Sequence, residues 1–198
     1  MESKGKYKFT QFREKLTQTS FSNFVEHYFP RLTQFAFTII KSQTLAEETV
    51  LDVFLKVWER KENLSSIGNI ETYLFISVRN TALNIIRSKQ KFSFEMLSDL
   101  HIQLAEYKPT AEGLLIESEI FEALNYAVGL LPPKCKIIFK LIREDGLNRS
   151  EVAEILDISV KTVDNQVAIA VKKIAEQLNI DLSSPQNSKG LYTILLTL

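Results

Sequence analysis

A chain of 198 residues, 45% hydrophobic and 24% charged, has the composition of an ordinary globular protein long enough for one domain or two small ones, and is neither disordered nor membrane-embedded. Lys+Arg and Asp+Glu are equal at 24 each, so no overall basic charge announces a nucleic-acid partner, and the distribution of charge matters more than its sum. Cys135 is the only cysteine, which excludes an intrachain disulfide or a cysteine-based zinc site and fits a reducing cytoplasm, and no run of about eighteen apolar residues spans a bilayer.

Residues 1–19 form a basic, polar N-terminal extension carrying Lys4, Lys6, Lys8, Arg13 and Lys15, without the apolar core of a secretory signal. From Ser20 the spacing turns helical, with Phe21, Phe24, Val25, Tyr28 and Phe29 on one side. Pro30 is at home in a first turn and not in an interior, so the pattern predicts one helix to Phe29 and a second over residues 30–40. Thr44 with Glu47 three residues later reads as a capping box opening a helix over residues 45–61. Ala46, Val50, Val53, Phe54, Val57 and Trp58 form its buried stripe. Leu51 and Leu55 fall off that stripe, and either a wide core or a partner-facing surface accounts for them.

After a loop over residues 62–69, Asn69 can cap a helix over residues 70–89, with Tyr73, Leu74, Ile76, Ala82, Leu83 and Ile86 marking its inside. Its other face carries Arg79, Asn80, Asn84, Arg87 and Lys89. Mid-helix asparagines are poor helix formers, and cations, amides and a nearby Tyr73 ring suit phosphates, base edges and stacking; a solvated charged face is the plain alternative. Residues 79–91 hold four basic side chains and no acid, whereas residues 92–117 hold five acids against Lys108 alone. The latter segment lacks periodicity and reads as an acidic linker.

Residues 118–128 predict a helix with Ile120, Phe121, Leu124 and Ala127 inward; Pro132-Pro133 opens another, ended by Gly146. Residues 147–173, LNRSEVAEILDISVKTVDNQVAIAVKK, then read as a helix-turn-helix. Ser150 caps the first helix and Ser159 the second, whose inner side carries Val160, Val163, Val167, Ala170, Val171 and Ile174. Ala153 allows close approach opposite Val163. Lys161, Thr162, Asn165 and Gln166 lie where a recognition helix meets base edges, and Lys172 and Lys173 are placed for phosphates. Two packed helices with polar residues facing water is the plain alternative. Asn179 stops the last helix, and residues 180–198 form a tail ending in LYTILLTL, which is apolar and β-branched.

Taken together, these segments resemble the sigma-70 family, in its extracytoplasmic-function (ECF) group, which keeps only sigma regions 2 and 4. The resemblance covers residues 21–89 and 120–178 and rests on three motifs. Residues 46–58, AEETVLDVFLKVW, are similar to the polymerase-binding helix AED-x-x-QE-x-F-x-x-x-W; residues 70–87 are similar to the −10 reading helix; and Leu131-Pro132 through Val163 resembles region 4, with its A-x-x-L-G-I-S-x-x-T-V ending. Leu51 stands in place of the usual Gln, and Asp157 in place of the usual turn glycine, where Asp tolerates the required backbone. Asp164 places an acid on the recognition helix, repelling phosphate but able to accept from a cytosine amine. VKTVDNQV and the apolar tail look most like the ECF group of Bacteroidetes.

The resemblance implies an all-α protein: a sigma region 2 helical bundle over residues 20–91 and a region 4 helix-turn-helix domain over residues 118–179, joined by the acidic linker. It implies that Asp52, Phe54, Val57 and Trp58 help bind core RNA polymerase. Tyr73, Arg79, Asn80, Asn84 and Arg87 would take the −10 element; Lys161, Thr162, Asn165, Gln166, Lys172 and Lys173 would take the −35 element of promoter DNA. It further implies a cytoplasmic protein with an anti-sigma partner, no catalytic residues, no small-molecule substrate, no cofactor and no metal. A stand-alone DNA-binding regulator leaves the Trp58 helix and the linker unexplained, and a helical interaction protein explains the packing without DNA. An enzyme is disfavoured, because His27 and His101 are isolated and no phosphate-binding glycine loop is present.

Overall fold

The computed structural model describes residues 17–61, 67–92 and 117–180. Most of the N-terminal extension, the tip of the 62–69 loop, nearly all of the acidic linker and the apolar tail lie outside the described residues. Among the described residues every regular element is an α-helix, as expected, and no helix is long and apolar enough to cross a membrane. The chain divides into two compact units, Met1–His101 and Ile102–Leu198.

The first unit packs three helices against one another: α1 (Gln18–Ile40), α2 (Gln43–Glu59) and α3 (Ile70–Phe92). Its core is aromatic. Phe24, Tyr28, Leu32 and Phe35 of α1 meet Val50, Val53, Phe54 and Val57 of α2 and Leu74, Phe75 and Val78 of α3, all buried. Phe24 meets Phe54 edge-on at 5.9 Å and Phe35 meets Phe75 edge-on at 5.1 Å, the orientation the ring quadrupole favours. An Arg31–Glu71 ion pair at 2.6 Å ties α1 to α3.

Three local expectations are corrected here. Pro30 does not divide α1, which runs through it for 23 residues. Both Pro30 and Glu26, whose carbonyl loses its helical donor, face solvent, while the apolar stripe on either side holds the helix straight into the core. The Thr44–Glu47 box does not form: α2 starts at Gln43, and Gln43 Nε2 donates to Glu47 Oε1 at 2.6 Å, engaging that carboxylate within the first turn. In α3 the buried residues are Ile70, Thr72, Leu74, Phe75, Val78 and Ala82, whereas Tyr73, Ile76, Leu83 and Ile86 are only half-buried. Its inner face is therefore rotated from the expected one. Asn69 does cap α3, its Oδ1 accepting from the Glu71 and Thr72 backbone N–H groups.

In the second unit α4 (Glu117–Gly129), α5 (Pro133–Arg143) and α6 (Arg149–Leu156) surround α7 (Val160–Gln177). Gly146, at φ 67, reverses the chain after α5, a conformation that favours glycine. The cap of α6 is Asn148 and not Ser150: its Oδ1 accepts from Ser150 and Glu151 N–H, and Glu151 Oε2 accepts from Asn148 N–H at 2.7 Å. This is a capping box displaced by two residues from the expected cap. Asp157 takes the left-handed turn at φ 57, and Ser159 Oγ accepts from Thr162 N–H to open α7. Ala153 and Val163 are buried where α6 and α7 meet. Val160, expected inside, is 42% exposed, because it is the first helical residue and precedes the buried stripe that begins at Val163.

Candidate nucleic-acid interface

The first unit turns faces of α2 and α3 outward, and the second a face of α7. On α2, Glu48, Leu51, Asp52, Leu55 and Glu59 are all exposed and follow the spacing that places residues on a single helical stripe. Leu51 and Leu55 keep 49% and 59% of their surface in water, so of the two readings of this helix the structure favours an outward apolar face over a wide core. Among the expected polymerase-contacting residues, only Asp52 lies on this stripe. Phe54 and Val57 are buried, and the half-buried Trp58 lies against Phe21, ring centroids 4.8 Å apart and tilted by 44°, under the Lys61 ammonium, 4.0 Å from its ring. These side chains support the helix from behind.

On α3, Tyr73, Asn80, Asn84 and Arg87 fall on one line, at i, i+7, i+11 and i+14, with Asn80, Asn84 and Arg87 exposed. Arg79 sits beside this line and donates from Nε to Asn80 Oδ1 at 3.3 Å, which orients the amide. The face thus offers a ring edge, two amides and cations.

On α7, the buried side is Val163, Val167, Ala170, Val171 and Ile174. The opposite side carries Lys161, Asn165, Ala168, Ile169 and Lys172, all exposed. The other expected readers lie on the flanks or in bonds. Thr162 Oγ1 and Ser159 Oγ are 2.8 Å apart, within the cap. Half-buried Gln166 is directed toward α5, where its Oε1 accepts from the buried Cys135 thiol at 3.0 Å. Burial pushes that thiol's pKa up, with Lys173 opposing. Lys173 is exposed next to the main line, and Lys172 Nζ lies 4.0 Å from Glu176. Asp164 occupies the other flank, paired with Arg149 of α6 at 2.9 Å, so its charge is partly answered within the helix-turn-helix. Sequence reasoning left Ile169 unplaced. The signal available was a branched aliphatic residue one turn after Asn165, off the buried stripe.

Family models agree with this division of the chain. The model described as Sigma-70 region 2 matches residues 24–92, and that described as Sigma-70, region 4 matches residues 121–174. Together they span more than half of the chain, in the order the family keeps, and the chain belongs to the sigma-70 family. It is similar to the ECF RNA polymerase sigma factor SigE of Mycolicibacterium smegmatis, at 22% identity over 154 residues, covering 78% of this chain and 60% of that protein. It is also similar to the RNA polymerase sigma factor SigZ of Bacillus subtilis, at 23% identity over 139 residues, covering 70% of this chain and 76% of that one. The chain therefore spans about 60% of the length of the first of these relatives. Among solved structures, its fold is similar to the sigma factor RpoE of Bartonella quintana, solved in complex with the anti-sigma factor NepR (TM-score 0.56, 21% identity, 81% of this chain and 98% of that one). It is similar also to CnrH in complex with the cytosolic domain of CnrY (TM-score 0.51, 18% identity, 87% of this chain and 96% of that one).

Proposed function

We propose that the chain is an ECF-type sigma factor: it binds core RNA polymerase and directs promoter-specific initiation by recognising −10 and −35 elements. The observation that carries this is the pairing of two separately packed helical units, matched in order to regions 2 and 4, with an outward DNA-suited helix face on each. The α2 stripe of Leu51, Asp52 and Leu55 docks on polymerase, and Phe54, Val57 and Trp58 hold that stripe in place from the core. Tyr73, Asn80, Asn84 and Arg87 of α3, with Arg79 orienting Asn80, take −10 bases on the melted non-template strand. Unstacking each captured base costs a few kcal/mol, which the amide and ring contacts offset.

Region 4 lays α7 in the major groove at the −35 element, with Asn165 toward a base edge and Lys161, Lys172 and Lys173 toward phosphates. Thr162 and Gln166 shape the helix flanks. On this reading the chain catalyses no reaction, works in the cytoplasm and is held in check by an anti-sigma factor, as RpoE of Bartonella quintana is seen bound to the anti-sigma factor NepR. The acidic linker occupies a basic channel of the polymerase until RNA displaces it. The wording of α7 and the apolar tail support reading the chain as a member of the Bacteroidetes ECF group, which they resemble.

Run-off transcription with the host's core polymerase tests the proposal. The unmodified chain should yield a promoter-specific transcript, and Asn80→Ala or Arg87→Ala should abolish most of it without loss of polymerase binding. A chain that never associates with core polymerase sinks the reading.

A further inference from the structure

Ile169 has a role that neither the packing of region 4 nor its cationic residues account for. It is 41% exposed, on the side of α7 opposite the buried Val163, Val167, Ala170 and Ile174. Asn165, Ala168, Ile169 and Lys172 stand at i, i+3, i+4 and i+7, so they share one face, with Lys161 one turn before them. An isolated exposed aliphatic residue needs no explanation on an ordinary surface. Here, however, Ile169 and Ala168 occupy the middle of the face that region 4 turns toward DNA, between an amide and an ammonium.

The dimensions fit a groove crossing. Lys161 and Lys172 are separated by roughly 16 Å along the helix axis at the usual rise per residue, enough to bracket a major groove about 12 Å wide and reach phosphates on either side. Asn165, Ala168 and Ile169 then face the groove floor. The flanks are already committed: Asp164 to Arg149 on one side, Gln166 to the Cys135 thiol on the other. What remains at the centre is one amide and an apolar patch.

An aliphatic side chain has neither donor nor acceptor. Of the groups that base pairs display in the major groove, only the thymine C5-methyl offers it apolar surface; opposite any other edge, Ile169 strips water from a donor or acceptor and returns nothing. We propose that Ile169, with Ala168 beside it, is a specificity-determining residue that reads a thymine methyl group in the −35 element, next to the base contacted by Asn165. The proposal rests on the sigma-factor reading of region 4 and adds to it a base preference set by apolar contact.

Replacing each −35 thymine in turn by deoxyuridine removes only the methyl group and leaves every hydrogen bond in place. Promoter binding is measured with the full chain on core polymerase. One thymine should be sensitive, its methyl loss weakening binding about fourfold, the effect of one buried methyl group. Ile169→Ala should weaken binding to the thymine promoter by a similar factor and lose the distinction between thymine and deoxyuridine at that position, while sensitivity elsewhere is kept. Alanine is the best helix former and Ile169 is exposed, so α7 should stay folded, which circular dichroism checks. If no thymine is methyl-sensitive, or if Ile169→Ala remains as methyl-sensitive as the parent, the assignment is overturned. Loss of core binding by Ile169→Ala also overturns it, by placing the residue against polymerase. A parent chain that gives no promoter-specific transcript at all overturns the sigma reading itself, a result distinct from a transcript indifferent to methyl groups.

Discussion

Phe54 and Leu55 are neighbours in sequence on opposite sides of α2, and they separate stability from docking. Phe54 is 3% exposed and packs on the Phe24 ring; Leu55 is 59% exposed and Leu51, one turn earlier, 49%. Phe54→Ala opens a cavity in the middle of the region 2 core, at a cost of about 3–5 kcal/mol, a large part of the ~5–15 kcal/mol that holds a domain folded. Thermal unfolding followed by circular dichroism should show a strongly lowered or lost region 2 transition. Leu51→Ala with Leu55→Ala removes surface that is half in water already, so stability should change by no more than about 0.5 kcal/mol for each. On docking, that exposed half is buried. Full burial of a leucine contributes about 1.5–3 kcal/mol, so the wet halves of both together supply roughly 2 kcal/mol, or ~30-fold in Kd. Titration of labelled chain with core polymerase, followed by fluorescence anisotropy, reads this directly. A double variant that folds normally and binds within about twofold of the parent would remove α2 from the interface. A Phe54→Ala chain with unchanged melting would refute the core assignment.

Two further outcomes follow from the local geometry. Asn148→Ala removes the acceptor for two N–H groups of α6, and urea unfolding should show region 4 destabilised by about 1 kcal/mol, with Ser150→Ala nearly silent. Tyr28 is fully buried with its hydroxyl lacking a hydrogen-bond partner among the described residues, and burial first, then the Glu71 carboxylate, push its pKa well above the usual phenol value, against Arg31. The raised folded-state pKa means that this contribution to stability is intact below about pH 10 and is lost as the pH climbs beyond it. Tyr28→Phe should therefore flatten the alkaline decline in melting temperature while leaving neutral-pH stability close to the parent; an unchanged alkaline slope would assign the decline to other groups.

The architecture was legible where a periodic apolar stripe coincided with a local stop signal. Asn69, Ser159 and Asn179 each marked a boundary because a short polar side chain or a left-handed residue has few alternatives there. The errors have two causes: tertiary packing overrides a local rule at Pro30, and a competing local hydrogen bond displaces the expected cap at Thr44 and Ser150. Pro30 argues for a break, but Phe24, Tyr28, Leu32 and Phe35 must all enter one core, and a continuous helix with Pro30 on its wet side permits that. Ser150 looks like a cap, yet Asn148, two residues earlier, offers its own acceptor and meets the Glu151 carboxylate. For the sites, exposure was the missing variable. The family resemblance marked Phe54 and Val57 as binding residues alongside Asp52, although the apolar spacing already put both on the buried stripe and Leu51 and Leu55 off it; the structure shows Phe54 and Val57 buried and Leu51 and Leu55 facing out. Gln166 likewise has the chemistry of a base reader, and the Cys135 thiol that holds its carbonyl is thirty-one residues away in the chain.

On the proposed reading, the electrostatics of α7 would make the chain select promoters by contact quality instead of charge. The outward Lys161, Lys172 and Lys173 allow at most a few phosphate contacts, and Asp164 and Glu176 lie close to this face, each within reach of a cation that it partly neutralises. Each phosphate neutralised changes the logarithmic salt dependence of binding by only about 0.9, so a recognition helix with so few contacts holds DNA weakly at physiological ionic strength. In the proposed complex, affinity would then come from the core polymerase, which leaves region 4 the narrower task of discrimination. An amide and a methyl-sized apolar patch suit that task better than further lysines would. A lysine strengthens binding to every sequence alike, whereas Asn165 and Ile169 contribute only where a matching base edge lies beneath them.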